Sequence, residues 1–421
     1  MKRFFSLPKN LPNLGASLTS VGFRAAFALA VSKWIAVGFG PAGTALFGQL
    51  MNLYSSFSCI PIDGLSRAMV KDGARFAQAG KEEQAAEVVA GSYGLLVLIF
   101  GLQWVIALFI ALFTNWFAPF QSDGFLPWFL LGFGLLSSVY FGSNVFLIWK
   151  KTKIQSFLAA GLSFGGLLGY GIAFFYGTAF QGCLLAYVLG QVTIALISIL
   201  YFSKALPQIW QVPKWKMPVV RNLLRFTFGL SLTFLINQIS NYAFVHWALD
   251  AMGTQKVGLW MAMNRLADVF CIPILAIANA ILLPLLSSHA DKPGELHQII
   301  SPTFKLSLFG LGIGLAALFW LYPYILPILY SAEFVADTSW IGWQVGGDFF
   351  KSSTYVFAVL VLAMGHIRFY FWLETGSTLL VFALSWAFYG KLGYIGLFIA
   401  HFIRFLLYWI ILVWRYRKIL I

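Results

Sequence analysis

The sequence predicts an all-α polytopic membrane protein, with about twelve membrane-spanning helices in two like-oriented six-helix lobes around a central cavity. Three observations carry that reading. First, the 421 residues are 60% hydrophobic and only 10% charged, with a mean hydropathy of +0.82. A soluble domain is about 25% charged and under about 50% apolar. A water-facing fold of this size would lack the polar side chains to cover such a core, so the excess must face lipid. Second, the apolar residues come in runs of about 20 or more, the length of a helix that crosses a bilayer. Third, the basic residues that give the chain its formal charge of +14 are concentrated between alternate runs, as the positive-inside rule requires.

The runs lie at about 17–38, 42–69, 86–113, 125–149, 154–176, 181–203, 225–249, 257–286, 303–329, 340–363, 369–389 and 394–414. Lys2, Arg3 and Lys9 precede the first. No small-residue cleavage pattern follows a short apolar core, so this stretch reads as a cytoplasmic tail rather than a signal peptide. Pro61, Pro273, Pro323 and Pro327 fall inside runs; each frees a backbone carbonyl that another group must satisfy and allows a kink. Cys59, Cys183 and Cys271 all lie in apolar stretches without CxxC spacing, as buried small residues do.

Charge sets the expected orientation. The two ends and the even-numbered connections carry eighteen basic residues, from Lys71, Arg75 and Lys81 to Arg415, Arg417 and Lys418. The odd-numbered connections carry only Lys256 and Lys391. Both termini are therefore expected in the cytoplasm. The largest inside connection, 204–224, holds Pro207, Pro213, Pro218 and four basic residues. It reads as a linker between an N-terminal lobe, 1–203, and a C-terminal lobe, 225–421.

The two lobes look like copies. Met51-Asn52 and Cys59-Ile60-Pro61-Ile62 recur as Met263-Asn264 and Cys271-Ile272-Pro273-Ile274, an offset of 212. Lys33-Trp34 and Gly40 recur as His246-Trp247 and Gly253, an offset of 213. GASLT at 15–19 echoes GLSLT at 229–233, and Gly182 and Ala186 echo Gly396 and Ala400. Copies six helices apart share one orientation, the architecture of secondary transporters with a substrate site between the lobes.

Polar residues inside the membrane are costly and mark function by default. At about 100° per residue, Gln49, Asn52, Ser56, Asp63 and Arg67 fall within about 60° of one another, a stripe about 27 Å long. Asn264, Asp268 and Asn279 form a second stripe with Arg265 beside them, and the repeat superposes the two. Interhelical hydrogen bonding is the bland alternative; matched stripes in both halves favour a hydrated cavity. Arg24, Lys33, His246, Asp250, Asp348, Lys351, Glu374, His401 and Arg404 are further ionisable positions. Arg24 lies deep without a local acid. Asp348 with Lys351, and Asp268 with Arg265, read as neutralising pairs. Lys33, Asp250, Glu374 and Arg404 are near run ends, where snorkelling is the alternative.

The positive balance favours an anionic substrate, with arginine the usual phosphate partner. The candidates for binding are Arg24, Lys33, Asn52, Arg67, His246, Asn264, Arg265, Lys351 and Arg404. The candidates for ion coupling are Asp63, Asp268, Asp348 and Glu374, with Asp63 favoured because water near the cytoplasmic end competes for Arg67. There is no Walker A sequence, no HExxH and no GxSxG, so no catalytic set, metal or cofactor is expected.

On WQVGGDFFKSSTYVF and IRFYFWLE between Trp343 and Glu374, SKWIAVGFGPAG at 32–43, and VGLW with PLLS at 257–287, the chain resembles the Wzx-type flippases of the MATE-like multidrug/oligosaccharidyl-lipid/polysaccharide exporter superfamily. Among them it is most like those of enterobacterial common antigen synthesis. Asp348, Lys351, Arg368, Glu374 and Lys33 are the matching positions. The resemblance implies transfer of an undecaprenyl-pyrophosphate-linked oligosaccharide from the cytoplasmic to the periplasmic leaflet of the inner membrane, for O-antigen or enterobacterial common antigen synthesis. A polysaccharide polymerase and a chain-length regulator are the implied partners. Trp34, Trp247, Trp260 and Tyr54 are read as interface anchors, with stacking on sugars as the alternative. A MATE-like drug or metabolite antiporter is the rival within the fold. A membrane glycosyltransferase or polymerase is the rival outside it, and it would need a long outside loop.

Overall fold

The computed structural model describes residues 11–113, 125–205, 216–277, 293–335 and 339–420, with Leu282 and Leu286. The tail with Lys2, Arg3 and Lys9, most of the expected linker, and Asn279 lie outside the described residues. Among those described, the α-helices are α1 (Leu11–Ser58), α2 (Arg67–Gln78), α3 (Glu82–Phe113), α4 (Phe125–Ile148), α5 (Thr152–Phe175), α6 (Phe180–Ala205), α7 (Met217–Ile277), α8 (Pro293–Leu329), α9 (Ile341–Ala363), α10 (Ile367–Leu392) and α11 (Ile395–Leu420). A π-helical segment, Cys59–Ser66, joins α1 to α2, and a short 3-10 turn, Ala332–Val335, follows α8. No strand occurs among the described residues.

All twelve apolar runs fall on helix wherever they are described. Among the described residues, eight helices are long and apolar enough to cross a membrane, and one of them, Thr19–Gln78, holds two of the runs within 60 residues. The runs outside these eight, 225–249, 257–286 and 340–363, fall on α7 and α9, which carry His246, Asn264, Asp268, Asp348 and Lys351. Along the other helices large apolar side chains stand exposed, among them Phe157, Trp320, Trp372 and Trp386. Only a lipid surround makes such a surface stable. The chain is a multi-pass membrane protein.

Glycine explains why two runs can share one helix. α1 breaks at Gly40 (φ 62°, ψ −162°) and α7 at Gly253 (φ 77°, ψ 165°). That backbone region is open essentially to glycine alone. These are the two glycines that the sequence echo puts in register, so the repeat extends to backbone conformation.

The chain divides into two compact units, 1–38 with 46–242, and 39–45 with 243–421. In the first, α5 and α6 meet through small residues. Gly165 and Gly169 face Ala186 and Gly190, and a Cβ on any of these three glycines would strike the opposing backbone. Spacings of four small residues let membrane helices approach this closely. Leu65, Met69, Val89, Phe141 and Leu223 form an apolar core of the same unit. In the second unit, Gly346 and Gly347 of α9 leave room for Phe402 and His401 of α11. Trp340 stacks on Phe398 at 4.8 Å, and Phe357, Leu360, Tyr408 and Leu412 form the core. Cys59 and Cys183 are free and buried, as expected of core residues.

Candidate functional site

In the first unit the site begins with a proline. Pro61 has no N–H to give the carbonyl of Phe57. Gln103 of α3 donates its Nε2 to that carbonyl instead, at 2.6 Å, and the chain widens into the π-helical Cys59–Ser66. Such segments appear mostly as single turns, frequently at functional sites. Ser66 Oγ accepts Asn144 Nδ2 of α4 at 2.8 Å. A Cβ on Gly64 would overlap the Ser231 hydroxyl of α7. This segment carries Asp63, whose Oδ1 accepts Arg67 Nη2 at 2.8 Å, with the two side chains 33% and 55% exposed. The guanidinium also lies 5.3 Å from the ring centre of Phe234.

The expected stripe from Gln49 to Arg67 does not hold as one face. It assumes about 100° per residue, whereas a turn closed by i→i+5 bonds advances less. Gln49 is fully buried, Asn52 is half-buried, and Ser56 Oγ folds back onto the Asn52 carbonyl at 2.8 Å. Arg67 is exposed. On α1, Arg24 is exposed and Lys33 half-buried; Arg24 has no hydrogen bond or ion pair among the described residues. Trp34 stacks against Tyr170 and Phe174, and Tyr54 meets Phe133 edge-on, so both rings serve packing within the unit.

The second unit gathers most of the candidates. Asp348 is 1% exposed. Its Oδ2 accepts Gln344 Nε2 at 2.9 Å, and its Oδ1 lies 3.0 Å from His401 Nε2. The same Gln344 amide reaches Asn264 Oδ1 at 3.2 Å. Lys351, one turn on, donates Nζ to Asp268 Oδ1 at 2.6 Å. The expected Asp348–Lys351 pair is thus corrected, and Asp268 has Lys351 as a partner from another helix. The Asp348 carboxylate is held by Gln344 of its own helix and by His401 of α11, while Lys351 bridges to α7 and takes Asp268. Arg265 is half-buried on α7. His246 Nε2 lies 3.8 Å from the largely exposed Asp250 carboxylate.

Beyond the Asp348 cluster, Arg404 Nε donates to Ser377 Oγ at 2.8 Å and Nη2 reaches Thr378 Oγ1 at 3.5 Å. The nearby Glu374 Oε1 accepts the Tyr408 hydroxyl at 2.9 Å. Two cations approach the Phe405 ring. Arg404 Cζ is 4.7 Å and Lys351 Nζ 6.0 Å from its ring centre, and the His401 ring is 4.9 Å away. Both distances suit cation–π attraction. Lys351 and Arg404 are therefore placed around one aromatic ring, Lys351 balanced by an acid and Arg404 bonded to neutral hydroxyls.

Gln344, Ser377, Thr378, Phe405 and Tyr408 are absent from the sequence-level candidates, and His401 stands there without a role. The signal was available for some. Gln344, Asp348 and Lys351 are spaced i, i+4, i+7, and His401, Arg404 and Tyr408 are spaced i, i+3, i+7, so each trio shares a helix face.

No family model matches the chain. Its fold is that of solved transporters of the MATE family and the wider MOP superfamily. The inward-facing conformation of a multidrug resistance MATE family transporter of that superfamily superposes with a TM-score of 0.80 at 16% identity, over 94% of each chain. The inward closed conformation of the lipid II flippase MurJ gives 0.68 at 15% identity, over 97% of this chain and 87% of that one. In sequence the chain is similar to the lipid III flippases of Escherichia coli (strain K12) and Shigella flexneri. Each is 24% identical over 400 residues, 92% of this chain and 95% of the relative. These relatives are flippases and transporters, not enzymes.

Proposed function

We propose that this protein flips an undecaprenyl-pyrophosphate-linked oligosaccharide from the cytoplasmic to the periplasmic leaflet of the inner membrane by alternating access. The glycan belongs to enterobacterial common antigen or O-antigen synthesis, and a polymerase and chain-length regulator act on it afterwards. Similarity to lipid III flippases along 400 residues supports the reading. The observation that carries it is the placement of Lys351 and Arg404 within 6.0 Å of one ring centre, that of Phe405. A diphosphate takes one charge-assisted bond from each, the fork of Arg404 being suited to phosphate oxygens. The sugars follow the diphosphate, and the polyprenyl chain stays in lipid.

A multidrug-type antiporter remains the second reading, favoured by the TM-score of 0.80 to a MATE transporter. An organic cation would meet Lys351 and Arg404 with the wrong sign. The test is transport by the purified protein in vesicles, supplied with fluorescent lipid-linked oligosaccharide or with a cationic dye. The proposal expects the first to cross and the second not; dye transport alone would replace it with the antiporter reading.

A further inference from the structure

The acids beside Lys351 differ in how firmly they are held. Asp348 is buried and fixed by two bonds, one to Gln344 and one to His401. Asp268 is 54% exposed and is bonded to Lys351, which is itself only 19% exposed. A mostly buried ammonium needs a counter-ion, since a bare buried charge is strongly destabilising. Here the counter-ion is the more exposed member of the pair. The same ammonium reaches the Phe405 ring, which Arg404 approaches as well.

We propose that Asp268 is an internal anion that occupies Lys351 in the empty protein and is displaced by the diphosphate of the substrate. This rests on the flippase reading and adds a selectivity step to it. A single negative charge exchanged for Asp268 gains Lys351 nothing. A dianion that bonds Lys351 and Arg404 together replaces the carboxylate and gains a second cation, so the site selects a diphosphate over a singly charged headgroup. On release Asp268 returns to Lys351 and discharges the product, which makes it a specificity residue that never needs to touch the transported group.

The experiment is calorimetric titration of the purified full-length protein with inorganic pyrophosphate, and with bicarbonate as a singly charged control. Asp268→Asn should bind pyrophosphate at least about tenfold more tightly than wild type, the scale of a close charge pair, and should lose much of the preference over bicarbonate. Asp268→Glu should restore wild-type affinity. Asp268→Asn combined with Lys351→Gln should bind no better than Lys351→Gln alone. In vesicles, Asp268→Asn should lower KM and kcat together because release slows. If Asp268→Asn binds equally or less tightly while wild type binds pyrophosphate, the carboxylate merely holds Lys351 in place and the inference falls. If neither wild type nor any variant binds pyrophosphate, the anion-site reading falls with it.

Discussion

Charge inside a membrane protein is tolerated only where something neutralises it, so the partner of each charge indicates its role. Arg404 bonds to the hydroxyls of Ser377 and Thr378 with the Glu374 carboxylate nearby, so its charge is balanced without a direct ion pair and can meet a ligand. Arg404→Ala should cut oligosaccharide flipping at least about tenfold at unchanged membrane abundance, the scale of one lost charge-assisted contact. Arg404→Lys should recover only part, because an ammonium lacks the fork that spans two hydroxyls. Arg24→Ala should act in the same direction with partial rescue by Arg24→Lys; normal flipping by Arg24→Ala would make that exposed arginine an interfacial one. Asp63 pairs with Arg67, whose side chain is 55% exposed, so water competes for that cation and Asp63 remains the favoured switchable carboxylate. Transport against an imposed ion gradient should lose its gradient dependence in Asp63→Asn, and equal dependence in both proteins would remove Asp63 from coupling. Which residues carry charge at membrane depth was legible from the sequence. Which charge meets which was not, because Asp348 and Lys351 share a helix face yet bond to different neighbouring helices.

At the scale of elements, the sequence located helices better than it described their interiors. A proline at 61 predicts a freed carbonyl and a kink, and both the satisfying group and the register change are set by contacts with other helices. Gln103 lies 46 residues away from Phe57, beyond any local pattern. Gln103→Leu should therefore destabilise the protein by about 1–3 kcal/mol, the cost of an unsatisfied buried carbonyl, read as a lower Tm in detergent. Adding Pro61→Ala should recover most of that loss, since residue 61 then supplies its own N–H to Phe57. Two independent losses in the double variant would mean that Gln103 acts by packing alone. Gly40 and Gly253 make a matched pair: alanine at either should cost about 1–3 kcal/mol for the strained backbone. Gly40→Ala should cost the more, because its Cβ would lie 3.1 Å from Glu333 Oε2 while Gly253 has open space. The glycine echo was visible in the sequence; the shared φ and ψ follow from the need to break a helix between paired runs.

For the whole molecule, composition settled the class, since a chain 60% hydrophobic and 10% charged has no soluble packing open to it. Orientation is a separate matter, decided by where the charges lie along the chain. Lys71, Arg75, Lys81, Lys150, Lys151 and Lys153 follow the second and fourth runs, while Lys256 and Lys391 are the only basic residues in the odd-numbered connections. Lysine and arginine are retained on the cytoplasmic side during insertion, and on this asymmetry we propose an even number of crossings with both ends inside. A reporter active only in the cytoplasm, fused after Ile421, should be active, and a periplasm-dependent reporter at the same place silent. Fused within 250–256, between the seventh and eighth runs, the two should exchange behaviour. Activity of the periplasm-dependent reporter after Ile421 would invert the chain or change the number of crossings. Inversion would reverse the leaflet from which Arg24, Asp63 and Arg404 are approached and with it the proposed direction of transport, whereas a changed number of crossings would reverse only the part of the chain that follows the change.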